Sequence, residues 1–323
     1  MPLNQSRAAL AAIAIVIPLA MLATIYTGSR PSQQQGSSQE QDKITVVASF
    51  YPLYEFASRV GGDRAEVSSL VPAGVEPHDW EPTPQDRQRV QSASMLVINS
   101  AGFESWADDM EANIVVNTSE GIELEHDDEG EGEEEDNDEH GHEGGVNPHI
   151  WLDPVLAKHQ VEKIRDAMVS ADPANANYYM EDADRFAAEL DSLDAFIELE
   201  LADCGKSDFV AFHDAFAHFA ERYGLTQHSI HGASPEGEIL PQRMQEIIEL
   251  ASELDINVIY SEDLIDSRLA DTIAGEIPDG RVLVLSPIEG IDREEQQAGI
   301  GYIDKMKENV ADLKVGLECR QQQ

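Results

Sequence analysis

Eight short apolar runs, many of them β-branched and arranged in two sets of four, set the main constraint on this chain. They lie at 44–49, 67–71, 95–100 and 114–117, then at 209–212, 225–230, 258–260 and 282–285. Amphipathic helical stretches separate them, and that alternation predicts parallel sheets buried under helices. The fold class is therefore α/β: two similar lobes, each with a parallel four-stranded sheet covered by helices. Between the two sets lies a stretch without strand signals. Asp153 before Pro154, and Asp172 before Pro173, each read as a helix N-cap followed by a first-turn proline. Beyond the second, Tyr178, Tyr179, Phe186, Leu190, Leu193, Phe196 and Ile197 recur near helical spacing. This predicts one long helix of about 28 residues, roughly 42 Å in length, joining the lobes.

Four polar residues each come just after an apolar run: His78, His149, His213 and Glu289, spaced 71, 64 and 76 residues apart. A residue that follows a buried parallel strand sits at its carboxyl end, where α/β folds gather ligands. Three imidazoles and a carboxylate brought together there suit a divalent transition metal, above all zinc in a tetrahedral shell. One histidine of this kind is more often an ordinary hydrogen-bonded residue, so the reading rests on the set. Glu76, Asp79 and Glu81 flank His78 as candidate orienting partners, in a stretch stiffened by Pro72, Pro77, Pro82 and Pro84. Trp80 and Trp151 each stand two residues beyond a candidate ligand, either as walls of a site or as ordinary core. His218 reads as a helix-surface residue, and spacing identifies no partner for His159, His228 or His231.

The charge balance narrows the partners. With 21 basic and 63 acidic residues the formal charge is −42, a surface that attracts cations and repels nucleic acid phosphates. No nucleic acid partner is expected. Residues 8–26 form an almost wholly apolar, uncharged run after Arg7. The run is close to the roughly 20 residues that span a bilayer and exceeds a signal core of about 7 to 15. Residues 1–27 thus read as a membrane anchor or a signal and 28–42 as a flexible tether, with the body extracytoplasmic, either anchored to the cell membrane or secreted. In an exported chain the two cysteines, Cys204 and Cys319, read as a disulfide.

The first lobe then covers 43–153, linking helices 154–203, and the second lobe 204–323. Within the first lobe, residues 121–146 are expected to be a disordered acidic loop, centred on EHDDEGEGEEEDNDEHGHEGG at 125–145. Its His126, His140 and His142 are candidate accessory metal groups that would raise the local ion concentration beside His149.

Four blocks carry a family resemblance: VPAGVEPHDWEPTPQD at 71–86, NPHIWLDP at 147–154, FVAFHDAFAHFAERYGL at 209–225 and VLVLSPIEGI at 282–291. In this order, over nearly all of 43–319, the chain resembles the metal-binding components of zinc and manganese ABC importers, the cluster A-I solute-binding family. The resemblance implies a metal held in the cleft between two lobes, with His78, His149 and His213 matching the three family histidines. For the fourth ligand it leaves two positions. Many zinc-binding members place an Asp directly after the last strand, where this chain has Ser286; others use the Glu of a Pro-hydrophobic-Glu-Gly sequence, which maps onto Glu289. A hydroxyl is a poor zinc donor, so Glu289 is preferred.

Manganese-type members put a Glu where this chain has His213, and three nitrogens favour Zn2+ over Mn2+. The implied function is high-affinity capture of zinc, with manganese or another divalent metal as the alternative cargo. Delivery would be to a membrane ABC permease with a cytoplasmic ATPase, and the carrier itself is expected to be a monomer. Two rival classes are weighed against it. A zinc hydrolase needs an open coordination position and a general base, whereas Glu289 here serves as fourth ligand and no HExxH occurs; the chain reads as no enzyme. An adhesin with structural zinc would unfold without its ion, whereas two cores and a long helix predict a folded metal-free form.

Overall fold

Val46, Val47 and Ala48 are buried on both faces of the first strand, as a central strand of a helix-covered parallel sheet must be. This strand, β1 (Ile44–Ala48), is flanked by β2 (Ala65–Ser69) and β3 (Met95–Ile98), with β4 (Val115–Asn117) beyond β3. All pairings are parallel and the order is β2-β1-β3-β4. The second sheet repeats it: β5 (Asp208–Ala211), β6 (Thr226–Ser229), β7 (Val258–Ser261) and β8 (Arg281–Val284) lie in the order β6-β5-β7-β8. Each strand begins or ends within one or two residues of its predicted run. The computed structural model describes residues 43–124, 146–235 and 239–320. The expected anchor or signal, the tether and the loop histidines His126, His140 and His142 lie outside the described residues. Among the described residues no helix is long and apolar enough to cross a membrane.

The first set of strands is accompanied by α1 (Tyr51–Gly61) and α2 (Pro84–Ser92), and is followed by α3 (Pro154–Ala171) and the long helix α4 (Ala176–Leu201). The second lobe adds α5 (Ala217–Tyr223), α6 (Pro241–Glu253), α7 (Arg268–Gly275), α8 (Arg293–Ala298) and α9 (Tyr302–Gly316). The linking helix has 26 residues rather than about 28, because Pro173–Asn175 open it as a single 3-10 turn. At 1.5 Å per residue it is about 39 Å long.

The seam between the lobes is itself core. Tyr179, Phe186, Leu190, Leu193 and Ile197 form the buried face of α4, which packs on its neighbour α3, on α1 from one lobe and on α5 and α9 from the other. Phe56 of α1 meets Phe186 at 5.7 Å and Tyr302 of α9 at 5.1 Å between ring centroids. Burying each such ring stabilises the fold by roughly 1.5–3 kcal/mol. Directional bonds add to the packing across the seam: Tyr302 Oη donates to the Trp151 carbonyl at 2.5 Å, and Trp151 Nε1 donates to the Pro287 carbonyl at 2.7 Å. The expected disulfide is present between Cys204 and Cys319 and ties the end of α9 to the entrance of β5.

Candidate metal centre

All four predicted ligands come together. His78, His149, His213 and Glu289 each offer one donor atom, and these atoms lie within 4.8 Å of one another. Each residue belongs to a connection that leaves the carboxyl end of a strand and enters a helix: β2 to α2, β4 to α3, β5 to α5 and β8 to α8. Two lobes with their carboxyl edges facing therefore present two donors each. Glu289 Oε1 is the common point, 3.1 Å from His78 Nε2, 3.0 Å from His149 Nε2 and 3.3 Å from His213 Nε2. The His149 and His213 Nε2 atoms are 3.1 Å apart. A tetrahedron with metal–nitrogen bonds of about 2.0 Å has edges of roughly 3.3 Å, so most of these separations already match a zinc shell.

The imidazoles are oriented from behind. Asn147 Oδ1 accepts from both the main-chain N–H of His149, at 3.1 Å, and its Nδ1, at 2.8 Å. Glu262 Oε1 does the same for His213, at 3.1 Å and 2.6 Å. With Nδ1 occupied as a donor, each Nε2 keeps its lone pair for a metal. For His78, Glu76 accepts from the main-chain N–H at 2.9 Å. A buried aromatic wall of Phe50, Phe103 and Trp151 closes one side, with the Phe103 ring 4.8 Å from that of His78 and 6.3 Å from that of His149.

The charges are matched to a divalent ion. Glu262 and Glu289 are both buried, and burial raises the Glu262 carboxyl although His213 beside it acts in the opposite sense. Burial pushes the Glu289 carboxyl up, but the adjoining His78 and His213 outweigh it and hold the group well below the usual carboxylate range. His213 responds in the opposite sense: burial lowers it, and Glu262 with Glu289 more than reverse this, raising it well above an ordinary imidazole. His78 is raised as well, Glu289 overcoming its burial. His149, the most enclosed, is driven by burial down to about 3 and stays neutral. The two carboxylates thus raise the proton affinity of His78 and His213, and a doubly charged ion would offset the same negative charge in the protons' place.

The family model for zinc-uptake complex component A, periplasmic, matches residues 46–316. The chain belongs to this family. It is 40% identical over 293 residues to the high-affinity zinc uptake system protein ZnuA of Bacillus subtilis, a match covering 88% of this chain and 92% of that protein. To the zinc-binding protein AdcA of Streptococcus pyogenes it is 32% identical over 290 residues, which is 85% of this chain but only 56% of that relative. Among solved structures, the Zn(II)-bound ZnuA-like domain of AdcA from Streptococcus pneumoniae aligns with a TM-score of 0.73 and 30% identity, over 86% of this chain and 100% of that one. The two-lobed α/β architecture is that of this zinc-uptake family.

Several sequence expectations need correction against this site. His149 does not stand at a strand end: it lies far along the connection after β4 and opens a 3-10 turn, Ile150–Leu152, whose Asp153 then caps α3. Asp153 Oδ1 accepts from the Val155 and Leu156 N–H groups and from Arg222 of α5, so a cap and an ion pair hold the NPHIWLDP segment in place. His218 is not a bare surface residue; its Nε2 contacts the Asn147 carbonyl at 2.9 Å and secures the same segment. Trp151 flanks the site, with its ring 5.0 Å from His149, whereas the Trp80 ring meets Trp106 at 5.6 Å and packs between the main core and a smaller cluster. His228 pairs with Asp208, His159 with the Glu120 carbonyl, and His231 stacks on Phe212, so none of the three joins the centre. Ser286 is turned away from the imidazoles toward Asp263. Glu262, Asn147 and Phe103 are the functional residues that spacing alone missed.

Proposed function

We propose that this chain binds Zn2+ outside the cytoplasm through His78, His149, His213 and Glu289 and hands it to a membrane ABC permease. The supporting observation is the buried convergence of three Nε2 atoms on one Glu289 oxygen, with two of the rings already oriented by Asn147 and Glu262. Three nitrogens and one oxygen form a borderline-soft donor set that fits zinc better than manganese, which favours oxygen-rich shells. The four donors fill a tetrahedral shell and leave no position for a reacting water, so the site suits carriage rather than hydrolysis. The names of the relatives, zinc uptake and zinc-binding proteins, agree with this cargo. The permease and its ATPase follow from membership of an uptake family and not from a surface seen here. On this reading residues 8–26 hold or export the body, and the histidines of the 125–145 segment are accessory.

Zinc titration of the purified chain in competition with a chromophoric chelator tests the proposal. One tight ion per chain is expected, and it should persist in a variant lacking residues 125–145. Binding weaker than about 1 μM, only about 8 kcal/mol, would be too weak for a scavenging carrier and would overturn the reading.

A further inference from the structure

Glu289 reaches the metal centre by way of a strained turn. Ile288 has φ of 56°, a left-handed value that is an outlier for a β-branched residue, and its side chain is fully buried. Such a conformation is unfavourable and persists only where the surroundings over-determine it. Here they do. Ser286 Oγ accepts from the Ile288 N–H at 3.1 Å and donates to Asp263 Oδ2 at 2.6 Å. Lys305, on α9, donates to the same Asp263 oxygen at 2.9 Å and to Glu295 at 2.8 Å. Asn309, one turn further along α9, accepts from the Ser286 N–H at 2.8 Å and donates to the Ser286 carbonyl at 2.6 Å. Ser286, Lys305 and Asn309 are all buried.

We propose that Ser286, Asp263 and Lys305 act as positioning residues for Glu289. The chain of bonds from the α9 ammonium through the Asp263 carboxylate to the Ser286 hydroxyl holds the Ile288 turn in the conformation that delivers Glu289 Oε1 to three imidazoles. The inference rests on the reading of Glu289 as a ligand. It also gives the hydroxyl at 286 a reason: a carboxylate there would stand at hydrogen-bond distance from Asp263, and Lys305, already shared between Asp263 and Glu295, would face a third negative charge. The serine at 286 and the glutamate at 289 form a matched pair, one aiming and the other binding.

The test uses the purified full chain and three readouts: zinc affinity by chelator competition, the visible spectrum of the Co(II)-loaded protein, and the melting midpoint without metal. Ser286→Ala and Lys305→Met should each weaken zinc binding about 10- to 100-fold, the usual effect of losing an outer partner of a ligand. Both should shift the cobalt spectrum toward that of Glu289→Gln, and Ser286→Thr, which keeps the hydroxyl, should restore affinity and spectrum. A lowered melting midpoint with unchanged zinc affinity and cobalt spectrum in Ser286→Ala, alongside lost affinity in Glu289→Gln, would make the bond chain merely structural and overturn the inference. Unchanged affinity in Glu289→Gln would instead sink the ligand reading itself. Should Ser286→Ala fail to fold, Asp263→Asn, which keeps the shape of the group, decides the matter by the same affinity and spectrum.

Discussion

The two halves of the metal centre are built differently. His213 stands two residues beyond β5, wholly buried, with Glu262 accepting from both its main-chain N–H and its ring and Gln227 donating to its carbonyl at 2.6 Å. Glu262 directly follows β7, the strand beside β5. The pair therefore sits at the crevice where the strand order reverses, the place at which such sheets bind ligands. His78 is carried instead on the proline-rich connection between β2 and α2 and is the one ligand not fully buried. Its ring contacts Glu289, the other imidazoles and Phe103, and Glu76 of its own lobe accepts from its main-chain N–H at 2.9 Å, whereas Glu262 is bonded to both the main chain and the ring of His213. One half of the site is part of a sheet edge; the other is ordered largely by the contacts that make the site.

The largest test of that contrast removes each ligand in turn. His213→Ala should reduce zinc affinity by well over the 100-fold typical of an outer partner, and it also leaves Glu262 buried without its partner. Breaking a buried pair costs about 3 kcal/mol, so the metal-free melting midpoint should fall clearly. His78→Ala should lower zinc affinity comparably and, because it strips buried Glu289 of one imidazole partner, should also lower metal-free stability, but by less than His213→Ala, which deprives both Glu262 and Glu289 of a partner. Calorimetry and chelator competition on the two variants give both quantities. Equal losses of metal-free stability would erase the distinction between the halves.

Next in size is the response to pH, which both halves share. His78 and His213 carry raised values in the folded metal-free protein, for the reasons of charge given above. A raised folded value means that the stability these groups add is complete below about 6.5 and fades as pH rises through the folded values. Zinc must displace the same protons, so its affinity should weaken as pH falls through that window, already above 6.5. His149, held neutral down to about 3, adds nothing to this slope. The gain in melting midpoint on adding zinc should therefore increase as pH rises from about 6.5 upward, as free ligand competes better against protons. A zinc-induced gain that stays flat across this range would show that the two carboxylates do not raise the proton affinity of these histidines.

Much of this was legible in the sequence because the relevant physics is local. A strand buried on both faces must be a continuous apolar run, which is why residues 95–98 and 258–261 could be placed almost to the residue. Residues that follow such runs mark the carboxyl edge, and that rule, with the motif blocks, found His213 and Glu289. Applied once more, it would have found Glu262, which directly follows Ser261. His149 was reached through its motif and not through its place, since a long connection separates it from β4. Phe103 could not be read at all: it follows Ser100, Ala101 and Gly102, all left-handed, and no spacing rule anticipates where a chain emerges from such a turn.

That same turn supplies the smallest test. Glu104, buried, accepts from Ser49 Oγ at 2.6 Å and from the Asn99 and Ser100 N–H groups at 2.8 Å each, and burial raises its carboxyl despite these bonds. It thereby holds the left-handed residues that carry Phe103 to the His78 ring. Asn99 meanwhile donates to the Pro148 carbonyl at 2.9 Å and accepts from Gln160, securing the segment that bears His149. Glu104→Gln keeps the shape but turns an amide donor toward groups that already donate, a mismatch worth about 1–3 kcal/mol of stability. Zinc affinity should fall less than about 10-fold, below the effect of losing a partner bonded to a ligand, because Glu104 acts on His78 only through a ring contact. If thermal melting and chelator competition instead gave an affinity loss as large as that of His78→Ala, the first-lobe half of the site would depend on this turn as firmly as His213 depends on Glu262.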